Sequence, residues 1–503
     1  MKTGFVVIRL EPLAVELTVE RGARLLVILA EHGIEFPCGG TGICGSCGIR
    51  LRSGTLPITN IDRGFFSREE LEAGWRLACQ AIAETPLVLD CGQWHMDVLT
   101  DASQAAGAGK EGLGIAIDLG TTTIVGQIVD MAVGDVLGVE TMLNPQAAFG
   151  SDVMSRIRAA LDGADLTSLV RAALGELIAK LAAGREHRVK EVVLVGNTVM
   201  HHLFSGLDVE PLSHVPFVSP NLDEQRFRPS QLCWPLPEDC VIRFARCIGG
   251  FVGADVLAGI IATGMNQSGE LSALLDLGTN GEIAIGNRDG IICASAAAGP
   301  AFEAGGIRMG MRAATGAIAH VANRGGQLEV AVIGDAAPRG ICGSGLVDAV
   351  AAGLRSGAIA PSGRFLNGRK TFPIAGSVVL YQSDVRELQL AKGAIAAGFK
   401  LLLKQIGARV SGVTKIHLAG AFGNCILIDS AIAIGLLNAP KEVIHAAGNT
   451  ALRGAKTMLA AAHTPALPPL RHISLAAEPG FQDEFANCMP FPEPNGAAEN
   501  PME

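Results

Sequence analysis

The sequence predicts two units of different fold class. A small α+β domain covers residues 1–98, and after a linker at 99–113 a two-lobed α/β domain runs over 114–494 and ends in a tail at 495–503. Three observations carry this expectation. Three cysteines crowd a glycine-saturated loop that follows a hairpin and a short helix. From Gly114 onward, buried-type strands alternate with amphipathic helices, which is the pattern of α/β architecture. One strand–turn–strand device also occurs twice, as Ile117-Asp118-Leu119-Gly120-Thr121-Thr122 and as Leu275-Asp276-Leu277-Gly278-Thr279-Asn280. Two copies about a domain apart imply two lobes, roughly 114–270 and 271–494, that share a fold.

In chain order, Val6–Leu10 and Val15–Val19 read as the hairpin, the second run alternating strictly between apolar and polar residues. Leu25 to His32 reads as a helix stopped by Gly33. The segment from Thr100 to Gly112 is small, polar and rich in Gly and Ala, so a flexible linker is expected there. Beyond it, Leu166–Ala183 has apolar residues at helical spacing, and Val192–Val195 is a buried-type strand. Each copy of the repeated device is followed by a second strand, Ile124–Val129 and Glu282–Gly286.

Composition narrows the class. The chain is 49% apolar and 18% charged, with 63 Gly, as expected of a globular protein rich in tight turns. One Tyr and three Trp give no surface of stacked rings for single strands or sugars. The net charge of −9, with no dense basic block, argues against nucleic acid and anionic membrane as partners. The first residues turn charged too soon for a signal-peptide core. The apolar stretch from Ile248 to Met265 is broken by Asp255 and is rich in Gly, so it reads as buried backbone and not a membrane span. Twelve Cys without a secretory signal then point to a reducing cytoplasm, where clustered Cys bind metal.

Cys38, Cys44 and Cys47 lie on one loop, and Cys79 follows at a distance. A [2Fe–2S] cluster needs four thiolates converging on a small core, so three from one tight loop and a fourth from a distant strand suit it. The interleaved glycines permit positive φ and turn N–H groups toward cluster sulfurs, which tunes potential. The first gap is one residue longer than the plant-type spacing and resembles that of vertebrate-type ferredoxins. A zinc site would call for two C-x2-C pairs, and only Cys44 and Cys47 form one. Cys91, Cys233, Cys240, Cys247, Cys293, Cys342, Cys425 and Cys488 have no partner spacing and are expected to be small buried hydrophobes.

No Gly-x-x-x-x-Gly-Lys-Ser/Thr occurs, so a P-loop is excluded. A formal Gly-x-Gly-x-x-Gly at Gly107, Gly109 and Gly112 lacks a preceding strand and is set aside. The duplicated Asp-Leu-Gly-Thr is the better candidate. Its turn directs N–H and hydroxyl groups at phosphate oxygens, and the strand-end Asp is placed to hold Mg²⁺ through water. A third element, Ile416-His417-Leu418-Ala419-Gly420-Ala421-Phe422-Gly423-Asn424, is a strand ending in small residues where backbone can approach an adenosine. In this order the three resemble the two phosphate motifs and the adenosine motif of the acetate/sugar kinase–Hsp70–actin superfamily.

With both signatures present, the chain resembles the reductive activators of corrinoid proteins. Further segments carry the likeness: Asn144-Pro145-Gln146, Gly150-Ser151-Asp152-Val153-Met154-Ser155-Arg156-Ile157, Val195-Gly196-Asn197-Thr198-Val199-Met200-His201-His202, Ala298-Gly299-Pro300-Ala301-Phe302-Glu303, Gly340-Ile341-Cys342-Gly343-Ser344-Gly345-Leu346-Val347-Asp348, and Arg386 to Ile395. The resemblance implies an α+β ferredoxin (β-grasp-like) N-terminal domain followed by a two-lobed α/β actin/Hsp70-like ATPase domain. Longer members carry an extra domain between the two parts, where this chain has only its linker. The implied activity is ATP-dependent one-electron reduction of a corrinoid protein from cob(II)alamin to cob(I)alamin, serving corrinoid-dependent methyl transfer. The implied cofactors are a [2Fe–2S] cluster held by Cys38, Cys44, Cys47 and Cys79, together with ATP and Mg²⁺. Asp118, Gly120, Thr121, Thr122, Asp276, Gly278, Thr279 and Asn280 would hold phosphates and Mg²⁺, and Gly420 and Gly423 would border the adenosine. Asp255 orients water near the terminal phosphate or is a hydrogen-bonded core acid; Glu303 is equally open. His201 and His202 are expected to pack a helix rather than ligate cobalt. The implied partners are a corrinoid protein and an upstream electron donor, and a homodimer is compatible with the pattern. Two alternatives stand beside this reading: an ATP-driven donor to another low-potential enzyme, and a non-enzymatic redox or nucleotide sensor.

Overall fold

The computed structural model describes residues 4–11, 15–30, 40–42, 47–91, 100–103, 109–150, 152–278, 280–461 and 466–493. The first unit is a five-stranded mixed sheet. Its strands are β1 (Phe5–Glu11), β2 (Val15–Glu20), β3 (Gly48–Ser53), β4 (Trp75–Leu77) and β5 (Leu87–Asp90), in the order β2-β1-β5-β3-β4. In β1 every second residue, Val6, Ile8 and Leu10, points into the core, as period-2 alternation requires. β1 pairs antiparallel with β2 and parallel with β5, and helix Leu25–Ala30 adds Leu25, Ile28 and Leu29 to the same core. This is the ferredoxin-type, β-grasp-like unit that the resemblance implied.

The larger unit holds two six-stranded sheets. In the first lobe β6 (Leu113–Leu119), β7 (Thr123–Asp130), β8 (Val136–Leu143), β9 (Val189–Val195), β10 (Gln225–Phe227) and β11 (Val241–Phe244) run in the order β8-β7-β6-β9-β11-β10. In the second, β12 (Ser272–Leu277), β13 (Gly281–Asn287), β14 (Gly290–Ala296), β15 (Lys415–Ala419), β16 (Ile444–Gly448) and β17 (Leu470–His472) run in the order β16-β15-β12-β13-β14-β17. Stripped of the outermost strand, both sheets share one order. An antiparallel meander (β6 to β8, β12 to β14) is joined on its first strand by two parallel strands (β9 and β11, β15 and β16). The repeated Asp-Leu-Gly device thus marks the first hairpin of each copy.

Two crossing helices join the lobes. Helix Thr450–Ala460 follows β16 of the second sheet, yet its Leu452, Ala455, Met458 and Leu459 complete the core of the first lobe. Helix Ala254–Thr263 follows the first sheet and bridges both: Ala254, Leu257, Ala258 and Ile261 lie in the first-lobe core, while Val256 and Ile260 join Leu274, Ala284 and Cys293 of the second. The helices cross closely enough that a Cβ on Gly454 would stand 2.1 Å from the Ala258 carbonyl, so only glycine fits there. Division of the chain at 270 therefore does not divide its packing.

The described ends of the linker, 100–103 and 109–113, are tied to the larger unit. Lys456, 1% exposed, reaches the Asp101 carboxylate at 2.6 Å and the carbonyls of Asp101 and Ser103, while Gln127 donates to the Asp101 carbonyl. Lys110 donates to the Leu459 carbonyl. A composition of small, polar residues does not reveal that the carbonyls at 101 and 103 serve a buried ammonium. Residues 104–108 and the tail beyond 493 lie outside the described residues. Lys456→Met should destabilise the chain by about 3 kcal/mol, because it leaves the Asp101 carboxylate uncompensated; denaturant unfolding of the two proteins checks this.

Candidate functional site

The two repeated turns face each other across a cleft of about 490 Å³. In each, the glycine amide donates across the turn, Gly120 to the Thr123 carbonyl at 3.1 Å and Gly278 to the Asn280 carbonyl at 3.0 Å. The cleft is lined by Asp118, Gly120, Thr121, Thr122, Asp255, Asp276, Gly278, Asn280 and Gly420, all singled out from sequence. Gly420 has φ +80°, and a Cβ there would stand 2.5 Å from Asp276 Oδ1 and 2.7 Å from the Leu277 carbonyl. The third motif therefore lies directly on the second. Gly423 does not line the cleft: it packs behind it, against Leu418 and Leu277, because the helix Gly420–Cys425 turns it away. Thr279 lies outside the described residues.

The sequence reading missed residues that frame these turns. Asn197 donates from Nδ2 to Thr121 Oγ1 at 2.8 Å, and Asn449 donates from Nδ2 to Asp118 Oδ2 at 3.0 Å. Each asparagine also caps the helix it opens, accepting from Met200 N and from Leu452 N. The signal was a second repeat, Gly196-Asn197-Thr198 and Gly448-Asn449-Thr450, placed after the fourth strand of one lobe and the fifth of the other. Phe302 and Phe422 stack at 4.4 Å to form an apolar wall, and Arg312, Glu282 and Glu303 are also in the lining.

Carboxyl groups are concentrated here. Burial pushes the Asp118 carboxyl up to about 6 against the pull of the Asn449 amide. Burial, then Asp118, pushes Asp276 to about 7; burial, then Asp276, pushes Asp255 to about 8; burial and Asp255 hold Glu282 well above the carboxylate range. Among the described residues no three acids, thiols or imidazoles converge as a metal cage. The cleft thus offers separated carboxylates short of positive partners. Each has a folded pKa above its unfolded value, so its stabilising contribution is complete below about pH 4 and is lost as pH rises through 6 to 8. Burial lowers His201 and His417 to about 4, which acts oppositely: that contribution is present above pH 6.5 and is lost as pH falls through about 4. The chain without nucleotide should therefore gain thermal stability as pH is lowered from about 8 to about 6.5. Melting temperatures across that window check it.

His201 and His202 pack in the core as expected. His202 pairs with the Thr198 carbonyl through Nδ1 and with Ser219 Oγ through Nε2, and His201 Nε2 meets the Asp223 carbonyl. Asp255 Oδ1 accepts from Val256 N at 2.8 Å and still lines the cleft.

The iron–sulfur loop is described in part. Cys38 and Cys44 lie outside the described residues. Cys47 and Cys79 are both buried, and the pairing of Gly48 with Leu77 brings them to the same end of β3 and β4, where Ala78 N donates to the Cys47 carbonyl. Gln80 Nε2 donates to Cys79 Sγ and to the Gly40 carbonyl. Gly40 and Gly42 have φ of +84° and +79°, and a Cβ on Gly40 would stand 2.1 Å from Leu26 Cδ1. Two buried thiols beside glycines held at positive φ fit a thiolate-held cluster. Of the other cysteines, Cys91, Cys240, Cys247, Cys293, Cys342 and Cys488 are buried as expected, whereas Cys233 and Cys425 are exposed. Cys233 ends a short helix at φ +55°, and Cys425 borders the cleft.

Three comparisons bear on both sites. Family models match residues 8–84 as a 2Fe-2S iron-sulfur cluster binding domain, 113–268 as the RACo middle region, and 270–500 as the C-terminal domain of RACo, the ASKHA domain. The chain is 37% identical over 411 residues to the corrinoid activation enzyme RamQ of Eubacterium limosum, spanning 74% of this chain and 69% of that one. It is 28% identical over 382 residues to a Co(II) methylated amine-specific corrinoid protein reductase of Methanosarcina barkeri, 69% of each. Among solved structures it is similar to a reductive activator for corrinoid, iron-sulfur protein, with TM-score 0.65 and 26% identity over 97% of this chain and 98% of that one.

Proposed function

The chain belongs to the reductive activators of corrinoid proteins, and from that premise we propose that it returns one electron to a corrinoid protein, taking cobalt(II) to cobalt(I) at the expense of ATP. The observation that carries the proposal is the union, in one chain, of a thiol loop and a duplicated nucleotide cleft. Cys38, Cys44, Cys47 and Cys79 would hold a [2Fe–2S] cluster, which supplies a one-electron carrier at about −400 mV. Each step is balanced: the electron that cobalt gains is one the carrier loses, and an upstream donor must replace it. Cobalt(II) with an axial base is harder to reduce, and every ~59 mV of mismatch costs tenfold in a one-electron equilibrium. A gap of several such steps would leave almost no cobalt(I) by electron transfer alone. A nucleotide assists only if it binds two conformations with different affinity.

This chain's residues suit that task. The first turn brings Thr121 and Thr122 to the cleft and the second brings Gly278 and Asn280 to it from the other lobe, so that phosphates would be met from both sides, and the small Gly420 leaves the cleft wall low where a nucleoside would lie. Asp118, Asp276 and Asp255, short of positive partners, are suited to a hydrated Mg²⁺, an ion that keeps most of its waters. No helix among the described residues is long and apolar enough to cross a membrane. The test is to mix the anaerobic, reduced chain with a corrinoid protein and follow cobalt(II) to cobalt(I) by absorbance, with and without Mg-ATP. Equal reduction without nucleotide would sink the proposal, as would transfer only to acceptors that hold no corrinoid.

A further inference from the structure

Two contacts seat the cluster domain on the nucleotide-binding unit, and each belongs to a different lobe. From the first lobe, the turn Pro145–Phe149 lies against helix Leu25–Ala30, with Ala148 packed on the core of the cluster domain. From the second, the Arg339 guanidinium stands over the Trp75 ring, 5.1 Å from its centroid.

Both contacts continue segments of the cleft. Asn144 is fully buried, and its Nδ2 donates to the Gly120 carbonyl at 2.9 Å while its Oδ1 accepts from Gln146 N at 3.0 Å. One side chain thus closes the phosphate turn and caps the turn that touches the cluster domain. Its own amide donates to the Thr122 carbonyl at 2.8 Å. Arg339 immediately precedes Gly340–Ile341 and the cleft residues Cys342 and Ser344. On the other side of the seat, Leu26 meets the cluster loop at Gly40, and Trp75 opens the strand that leads to Cys79.

We infer that the cluster domain straddles the nucleotide cleft, and that its seating is linked to nucleotide occupancy through Asn144 as a positioning residue. A rigid domain that grips both lobes keeps both contacts at one lobe spacing only, because packed interfaces are bistable rather than elastic. A nucleotide that changes that spacing binds the seated and unseated forms with different affinity. By reciprocity, seating changes nucleotide affinity by the same factor. The inference rests on the ATP-binding half of the proposed function and is independent of the acceptor.

The test is titration of a non-hydrolysable ATP analogue with Mg²⁺ into the full, cluster-loaded chain, read beside hydrogen exchange of the Leu25–Ala30 helix. Ala148→Glu and Arg339→Gln lie outside the cleft; both should speed that exchange and shift the analogue's affinity in one direction, by about fivefold or more. Asn144→Ser keeps a capping oxygen but cannot also reach Gly120. In that background the effect of Ala148→Glu on affinity should vanish, which is the double-mutant evidence that a claimed coupling requires. Faster exchange with unchanged affinity overturns the linkage. Unchanged exchange overturns the seat. An Ala148→Glu effect that persists beside Asn144→Ser overturns the role of Asn144. Failure of the unaltered chain to bind the analogue overturns both this inference and the proposed function, whereas failure to reduce a corrinoid overturns only the latter.

Discussion

Cys79→Ser should abolish cobalt reduction while leaving ATP binding in place. Cys79 is buried in the short turn that follows β4, with Gln80 donating to its sulfur and the Cys47 carbonyl tied to the adjacent amide. A serine fills the same space, so the five-stranded sheet has no reason to fail. A hydroxyl is not the thiolate that an iron–sulfur cluster requires. The expected result is loss of the cluster's visible absorption and reduction at the level seen without the protein. Cys91→Ala is the control. Cys91 is buried at the end of β5 and stands outside the Cys38, Cys44, Cys47 and Cys79 pattern, and in the cluster-free chain burial, then Asp90, pushes its thiol up to about 12. The variant should keep its colour. A coloured, active Cys79→Ser chain would remove Cys79 from the ligand set.

The parts legible in sequence are those where chemistry forces residue type and spacing together. The cysteine loop was legible because thiols and positive-φ glycines serve one group, and Gly40 and Gly42 adopt that backbone. The Asp-Leu-Gly turns were legible because duplication wrote them twice, and the shared strand order of the two sheets bears out the shared fold. The docking of helix Thr450–Ala460 on the first lobe was not legible. Apolar periodicity along Thr450–Ala460 shows which face is buried but not which lobe buries it. Asn197 and Asn449 escaped for a different reason: an asparagine before a helix is adequately explained as a cap. Each does cap, and its amide nitrogen does a second task in the cleft. Gly423 was misplaced because a motif read as extended turns into a helix at Gly420, which carries the second glycine away from the cavity.

Asp118→Asn should lower ATP hydrolysis by about 10²-fold, the scale of removing one preorganised electrostatic group from a reacting site. The same change should make the nucleotide-free chain more stable. The replacement is nearly isosteric, and its oxygen can still accept from Asn449 Nδ2, so the link between the lobes survives. What disappears is a charge that burial disfavours. The folded pKa of about 6 lies above the ordinary value of 3.8, so the wild type loses stability as pH rises through 6, whereas the variant does not. The difference between the two proteins should therefore be near zero at about pH 4, grow until about pH 6 and then level off. Its plateau should be about 2 kcal/mol after allowance for solvent in the cleft. Mg-ATP should narrow it, because the wild type then gains the cation that its carboxylate lacks. A variant that loses hydrolysis and stability together would make Asp118 a structural residue. Opposite signs identify a carboxylate kept charged at a cost to the fold because the bound nucleotide needs it.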